Sequence, residues 1–341
     1  MDTILFVAQT ESDGSLGKAS LEALTSAKTL AQELGTTFSV GLVGANVQAA
    51  ADSVADCGAT AFLGVSGDDF AKGRYATDAA ALAALAKAAG AAIVLGAATS
   101  RLSRVLPGAC ARLGGRSDTN VTALAVANGK LMVTRWYYRQ RMFAELTRTE
   151  RPWFLSVSPG CFAPYSGQGA TAAVTPVTPE LPAGGLRTKV TSIISPSAEE
   201  QTIRPDAKLL FVAGAGWTKK QPDGTTHLNE AEDIILKFIS KAQASLGTSK
   251  SLVDISGEGQ QVMRFLTHMH QVGQTGATPR HPKGLATCCH GEEPHTVGWR
   301  FIGERRAINL DPNCGWAQGK ADVLYVADAF EVMREVLALM G

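Results

Sequence analysis

In the second half of this 341-residue chain, four glycine-rich or polar clusters follow stretches that read as strands. They are Gly214-Ala215-Gly216, Val272-Gly273-Gln274-Thr275-Gly276, Cys288-Cys289-His290-Gly291-Glu292-Glu293-Pro294-His295 and Asn309-Leu310-Asp311-Pro312. Glycines let backbone N–H groups approach a phosphate, and a helix start adds free N–H groups and the positive end of a dipole. Asn309 and Asp328, both at strand ends, can hold ribose or adenine through hydrogen bonds. Ligands of open α/β sheets collect at the carboxyl ends of strands, so together these parts point to a dinucleotide site. Singly, each has a plainer reading. A Gly-x-Gly after a strand also makes a tight turn, and the third glycine of the dinucleotide fingerprint is absent. Cys288, Cys289 and His290, with His281 and His295 nearby, raise a metal site. Adjacent strand residues face opposite sides, however, so two neighbouring cysteines aim poorly at one ion. His268 and His270 read as solvated residues of a surface helix or loop. No Gly-x-Ser-x-Gly elbow occurs, which argues against a hydrolase.

The elements that must position these residues follow from periodicity. In the first third, strands Ile4–Ala8, Phe38–Val43, Ala61–Val65 and Ala92–Leu95 alternate with helices. One helix is capped by Ser20 and stopped by Gly35, another spans Val47–Ala55, and an alanine-rich one runs Thr77–Ala89. Strands apolar throughout and set between helices mark a parallel sheet in an α/β layer fold. Thr122–Val126, Lys130–Tyr137 and Trp153–Val157 read as further strands. The stretch 167–185, rich in Pro, Thr and Ala, reads as a long surface loop, and Thr188–Ile194 as strand-like. From Lys208–Val212 the alternation restarts. Asn229 caps a helix to Leu246, then come strands Leu252–Ile255, Gly284–Cys289, Arg306–Leu310 and Val323–Ala327, and a closing helix Ala329–Met340. The expectation is two α/β domains, 1–204 and 205–341, each with its own parallel sheet.

Composition bounds the function. Hydrophobic residues make up 45% and charged residues 18%, and 32 basic residues nearly cancel 31 acidic ones. No basic footprint steers the chain onto nucleic acid or anionic lipid, and no apolar run is long enough to insert in a membrane. The six cysteines have no Cys-x-x-Cys spacing and fit buried positions in a reducing compartment. The start, Met1-Asp2-Thr3-Ile4, runs straight into a strand without the basic stretch of a leader, so the expected location is cytoplasmic.

The order of these loops resembles the alpha subunit of electron transfer flavoproteins over essentially the whole chain. In the first domain the similar stretches are Leu102-Ser103-Arg104-Val105-Leu106-Pro107-Gly108-Ala109-Cys110-Ala111-Arg112-Leu113, Asp118-Thr119-Asn120-Val121-Thr122 and Ser158-Pro159-Gly160-Cys161-Phe162. In the second, Val272-Gly273-Gln274-Thr275-Gly276 is the family's most specific signature. Asn309-Leu310-Asp311-Pro312 and Ala327-Asp328-Ala329-Phe330 are similar to its later loops. The resemblance implies two Rossmann-like domains: an amino-terminal ETF domain, then an FAD-binding domain of the deoxyhypusine-synthase-like type. It implies FAD as cofactor, with Thr275 by the flavin N5, Gly273 and Gln274 in the same loop, and His295 on the flavin O2. His290 and Gly291 would meet the pyrophosphate, Ser249 and Lys250 would lie near the cofactor, and Asn309 and Asp328 would hold its adenosine half. It also implies a heterodimer with a beta subunit, a dehydrogenase as electron donor (of the acyl-CoA dehydrogenase type, as in fatty acid β-oxidation) and a second redox protein as acceptor.

Two departures stand out. The family's Gly-Gly-Arg-Gly becomes Gly214-Ala215-Gly216-Trp217, which removes a cation expected over the flavin, and Lys219 or Lys220 is an imperfect substitute for a planar guanidinium. Glu292 and Glu293 add negative charge beside the expected pyrophosphate. An electron carrier is therefore the leading expectation. The alternatives are a binding or structural subunit that has lost redox work, and a flavoenzyme acting on a small substrate with His290 or Cys289 as acid or base.

Overall fold

The structure, a computed structural model, describes residues 2–137, 142–181, 186–194, 202–254, 263–273, 280–287, 302–313 and 319–341. The chain divides into two compact units, Met1–Ile193 and Ile194–Gly341.

The first unit opens with β1 (Ile4–Gln9), α1 (Lys18–Leu34), β2 (Phe38–Gly44), α2 (Gln48–Ser53), β3 (Phe62–Ser66), α3 (Asp68–Ala71), α4 (Tyr75–Ala88) and β4 (Ile93–Ala97). Residues of β1 feed two cores alternately. Ile4, Phe6 and Ala8 pack with α1 and α2, while Leu5 and Val7 face α4 and a further helix, α5 (Ser100–Arg112). A strand covered on both faces must be apolar at every position, which is why β1 and β4 read as unbroken hydrophobic runs. Helix α1 begins after Gly17 rather than at Ser20, and Gly35 ends it in the left-handed conformation (φ 61°).

The sheet continues through β5 (Arg116–Ala127), β6 (Lys130–Tyr137), β7 (Met142–Leu146), β8 (Trp153–Val157) and β9 (Val174–Pro176), in the order β7-β6-β5-β8-β4-β1-β2-β3-β9. It is α/β as expected, but mixed rather than wholly parallel: β6 runs antiparallel to β5, and β7 to β6. The connection from β5 to β6 holds Asn128 and Gly129, both at positive φ, and so short a turn can join only antiparallel strands. Asp118 on β5 ties this region together. It is 2% exposed and accepts from Arg148 (2.6 and 3.1 Å), Arg135 (3.0 Å) and the indole N–H of Trp153 (2.9 Å). Burial alone would raise its carboxyl, yet these donors hold it below the usual carboxylate range. Within the stretch 167–185, Val174–Pro176 pairs with β3. Thr188–Ile194 forms no strand, and Ile193 and Ile194 are exposed.

The second unit is built on β10 (Leu209–Ala213), α6 (Leu228–Lys241), β11 (Ser245–Thr248), α7 (Lys250–Asp254), β12 (His281–Thr287), β13 (Ile302–Asn309), β14 (Val323–Val326) and α8 (Ala329–Leu339). Its sheet, β11-β10-β12-β13-β14, is parallel at every described pairing. Phe211 and Ala213 face α6 and α8, while Leu210 and Val212 join a smaller core with Val272 and Ile302. The helix expected to reach Leu246 stops at Lys241, because Ser245–Thr248 pairs residue for residue with Leu210–Ala213. The strand expected at Leu252–Ile255 is helical over Lys250–Asp254, with the Ser249 hydroxyl accepting from the Leu252 N–H (3.4 Å). Among the described residues, no helix is long and apolar enough to cross a membrane, and no three His, Cys, Asp or Glu side chains cluster to hold a metal.

Candidate functional site

From β10 the chain passes outward to β11 and then returns to β12 on the opposite flank, so β10 and β12 flank a topological switch point. Connections diverge there and open a crevice at the carboxyl ends of the strands. Backbone bonds hold these ends in register. The Gly214 N–H donates to the Thr287 carbonyl (2.8 Å), the Ser249 N–H to Ala213 (2.9 Å), the Val272 N–H to Thr248 (3.1 Å), and the Ala327 N–H to Asn309 (3.2 Å).

Of the residues singled out in the sequence, Ser249, Lys250, Gly273, Asn309 and Asp328 are brought to this end of the sheet. Ser249 is fully buried, and Lys250 begins α7 with its side chain exposed. Gly273 has φ 84°, a conformation that favours glycine, and starts the loop carrying the signature. Asn309 is fully buried at the end of β13, where its Oδ1 accepts from the Asp311 N–H (3.0 Å). Asp328 caps α8, accepting from the N–H groups of Phe330 (2.7 Å) and Glu331 (3.1 Å). Gln274, Thr275, His290, Gly291 and His295 lie outside the described residues, as do Glu292 and Glu293.

Three neighbouring side chains were not singled out in the sequence. Thr248 and Thr287 are fully buried and Gln271 is 4% exposed; Thr248 and Gln271 face each other in an isolated parallel bridge. The Thr248 hydroxyl, both polar atoms of the Gln271 amide and the Asn309 Nδ2 have no hydrogen-bond partner among the described residues. A buried polar group left unpaired costs about 1–3 kcal/mol. Three such groups at one end of one sheet form a ready set of donors and acceptors for a polar ligand. The signal in the sequence was adjacency: Thr248 precedes Ser249-Lys250, and Gln271 precedes Val272-Gly273.

The loop after β10 takes a course that its glycines do not reveal. Ala215–Thr218 forms a single 3-10 turn, and Trp217 is driven fully into the core. Its indole N–H donates to the Thr287 hydroxyl (2.7 Å), which in turn donates to the Val212 carbonyl (3.0 Å), and its ring packs 4.5 Å from that of Phe330. Gly216, where the resemblance expects an arginine, is buried behind this anchor, and its carbonyl accepts from Gln221 Nε2 (3.2 Å).

His270, expected to be solvated, is 8% exposed. Its Nδ1 accepts from the Thr267 N–H (3.1 Å), so Nε2 carries the proton and donates to the Thr202 hydroxyl (2.7 Å). Burial pushes the imidazole below the usual histidine range, and the ring is a neutral clamp on the turn leading into Gln271 and Gly273. His268 is exposed, as expected.

Residues 4–183 match the model of the electron transfer flavoprotein domain, slightly more than half of the chain. The chain belongs to the electron transfer flavoprotein family. Protein FixB of Clostridium saccharobutylicum is 27% identical over 98% of this chain and 95% of its own length. The alpha subunits of the electron transfer flavoproteins of Clostridium acetobutylicum and Thermoanaerobacterium thermosaccharolyticum are each 26% identical, over 98% and 96% of this chain and 96% and 95% of theirs. The likeness therefore runs through both units. It makes this chain a divergent electron transfer flavoprotein on the alpha-subunit side.

Proposed function

We propose that this chain is the FAD-carrying alpha subunit of an electron carrier. In this reading it forms a heterodimer with a beta subunit, takes electrons from a dehydrogenase of the acyl-CoA dehydrogenase type and passes them to a second redox protein in the cytoplasm. The observation that carries the reading is the set of buried polar atoms on Thr248, Gln271 and Asn309, at the carboxyl end of the second sheet, that have no partner among the described residues. They suit a cofactor that offers hydroxyls, carbonyls and ring nitrogens, as FAD does. FAD, when bound, supplies one- and two-electron transfer, and the protein supplies position and electrostatics.

Asn309 would donate through Nδ2 to the adenosine half, while its Oδ1 keeps the Asp311 loop in place. Asp328 would fix that end mainly through α8, since its carboxylate already accepts two backbone N–H groups. Ser249 and Lys250 start α7 beside β10, and Gln274, Thr275, His290, Gly291 and His295 are assigned to the flavin and pyrophosphate by resemblance. Gly216 leaves the ring without a fixed guanidinium, so negative charge on the reduced cofactor would rest on hydrogen-bond donors. Trp217 also supports a second reading, a subunit that keeps the fold without redox work, because its loop is committed to the core.

The visible absorption spectrum of the chain, purified alone and after co-expression with its beta-type neighbour, separates the two. A flavin spectrum, with the released cofactor identified as FAD and reducible by a dehydrogenase, supports the carrier. Colourless protein from both preparations overturns it.

A further inference from the structure

The border strand of the second sheet, β11, bonds on its outer edge to two stretches of chain far apart in sequence. Near its start, the Leu246 N–H donates to the Thr202 carbonyl (2.8 Å), and the Ser245 hydroxyl accepts from the Arg204 N–H (3.0 Å). Near its end, the Thr248 carbonyl accepts from the Val272 N–H (3.1 Å), next to the bridge between Thr248 and Gln271. One side chain joins the two stretches. His270 Nε2 donates to the Thr202 hydroxyl (2.7 Å), across 68 positions of sequence. We propose that this pin makes His270 a positioning residue for the cofactor: held by Thr202, it fixes the turn that presents the Gln271 amide and the Gly273 backbone to FAD. The role rests on the FAD reading given above and adds to it a determinant behind the site.

Both ends of the ring are engaged. Thr267 caps the short turn, its Oγ1 accepting from the Met269 N–H (3.3 Å), and His270 Nδ1 accepts in return from the Thr267 N–H (3.1 Å). With Nδ1 an acceptor, Nε2 carries the proton and needs an acceptor of its own, which Thr202 supplies. Thr202 is itself held in place. It is buried, its carbonyl is bonded to β11, and the Arg204 guanidinium two residues on donates to the Ile239 (2.8 Å) and Ala244 (3.4 Å) carbonyls. Packing from the strand fixes the same stretch. A β-carbon on Gly247 would lie 2.4 Å from Val272 Cγ2, so only glycine there lets the chain after His270 lie this close to β11.

The consequence falls on the cofactor site. Gln271 follows the ring by one residue, and both polar atoms of its buried amide have no partner among the described residues. A side chain without a bond of its own takes its aim from the backbone that carries it. Gly273, at φ 84°, then turns the same backbone into the signature loop. A hydrogen bond lost behind such a site is felt as misplacement within it. The pin therefore sets affinity through Gln271 and Gly273 without touching the cofactor. Thr202 and His270 lie outside every stretch by which the chain resembles its family.

The test is the affinity of the full chain for FAD, alone and with its beta-type neighbour, read by flavin fluorescence on titration of cofactor-stripped protein. Thermal melting of the same stripped samples is recorded alongside. Thr202→Val keeps the shape and removes the acceptor, and is expected to weaken FAD roughly tenfold. Thr202→Ser keeps the hydroxyl, and His270→Gln offers an amide oxygen and nitrogen in place of the ring's acceptor and donor. Both are expected to hold FAD within about twofold of the unaltered chain, well inside the effect of one hydrogen bond. Ser245→Ala unties the Arg204 N–H on the same strand without touching the ring, so it is expected to lower the melting temperature and leave FAD affinity in place. Undiminished affinity in Thr202→Val overturns the pin. So does an equal loss in Thr202→Ser and His270→Gln, which would make packing the cause, or in Ser245→Ala, which would make it general loosening. An unaltered chain that takes up no FAD in either preparation overturns the FAD reading itself, and the pin's role with it.

Discussion

Thr248 is a buried threonine whose hydroxyl has no hydrogen-bond partner among the described residues. Replacing it with valine, which has nearly the same shape, removes a polar atom that no described residue satisfies, so Thr248→Val is expected to keep or raise the melting temperature. If the hydroxyl serves the cofactor, the same change weakens FAD about tenfold, the equivalent of one hydrogen bond. Thermal melts and a flavin titration read these opposite effects on one variant, and an unchanged FAD affinity would remove Thr248 from the site. The strand-end positions of Asn309 and Asp328 were legible because both follow apolar runs, and the carboxyl end of a strand is where such sheets bind, whereas Ser249 was reached only through the family resemblance. Thr248, Gln271 and His270 were not legible. Their burial comes from the pairing of residue 248 with residue 271 across 22 intervening positions, which no local pattern encodes. Asp328 shows the converse: its type suggested ligand binding, and its carboxylate is spent on the start of α8.

At the scale of elements, β9 shows how narrow the fit of a short strand can be. Only three residues long, it lies against β3 where Gly64 has no side chain. A β-carbon there would sit 2.7 Å from Val174 and 2.8 Å from Val47, both stiff branched side chains. Gly64→Ala is expected to cost about 1–3 kcal/mol by overpacking and to lift β9 from the sheet. Urea denaturation and faster proteolysis between residues 167 and 181 would register it. Sequence periodicity placed β1 to β4 and the closing helix because each has a long, strongly apolar pattern. It missed α5, whose interior holds Pro107 and Gly108, two residues that usually end a helix. Gly108 earns its place through packing, since a β-carbon there would collide with the Tyr75 hydroxyl. The strand–helix exchange at Leu252 has a related cause. So short a run as Leu252–Ile255, with three apolar residues, fits either element, and Ser249 decides by supplying a cap.

At the scale of the whole molecule, the buried Asp118 couples stability to acid. Its carboxyl is held below the unfolded value of about 3.9, so the stability it contributes is present above that pH and is lost as the pH falls through the folded value. Asp118→Asn leaves Arg135 and Arg148 without their shared partner and is expected to cost about 3–5 kcal/mol near pH 7, with a smaller gap near pH 3. Denaturant titrations at the two pH values test this, and an equal gap at both would refute it. The two borders of the large sheet differ in another respect. On one side β9 is short and ends in Pro176, a residue that cannot extend a hydrogen-bonded ladder. On the other side β7 is five residues long and, among the described residues, has no neighbour beyond it; Met142 and Phe143 are more than half exposed beside Tyr137. An open, apolar border of that kind templates further strands, so colloidal behaviour should be governed from one side of the molecule. Concentrated solutions of the isolated chain are expected to scatter light increasingly with time, and Phe143→Lys, a single charge on that border, should keep them clear.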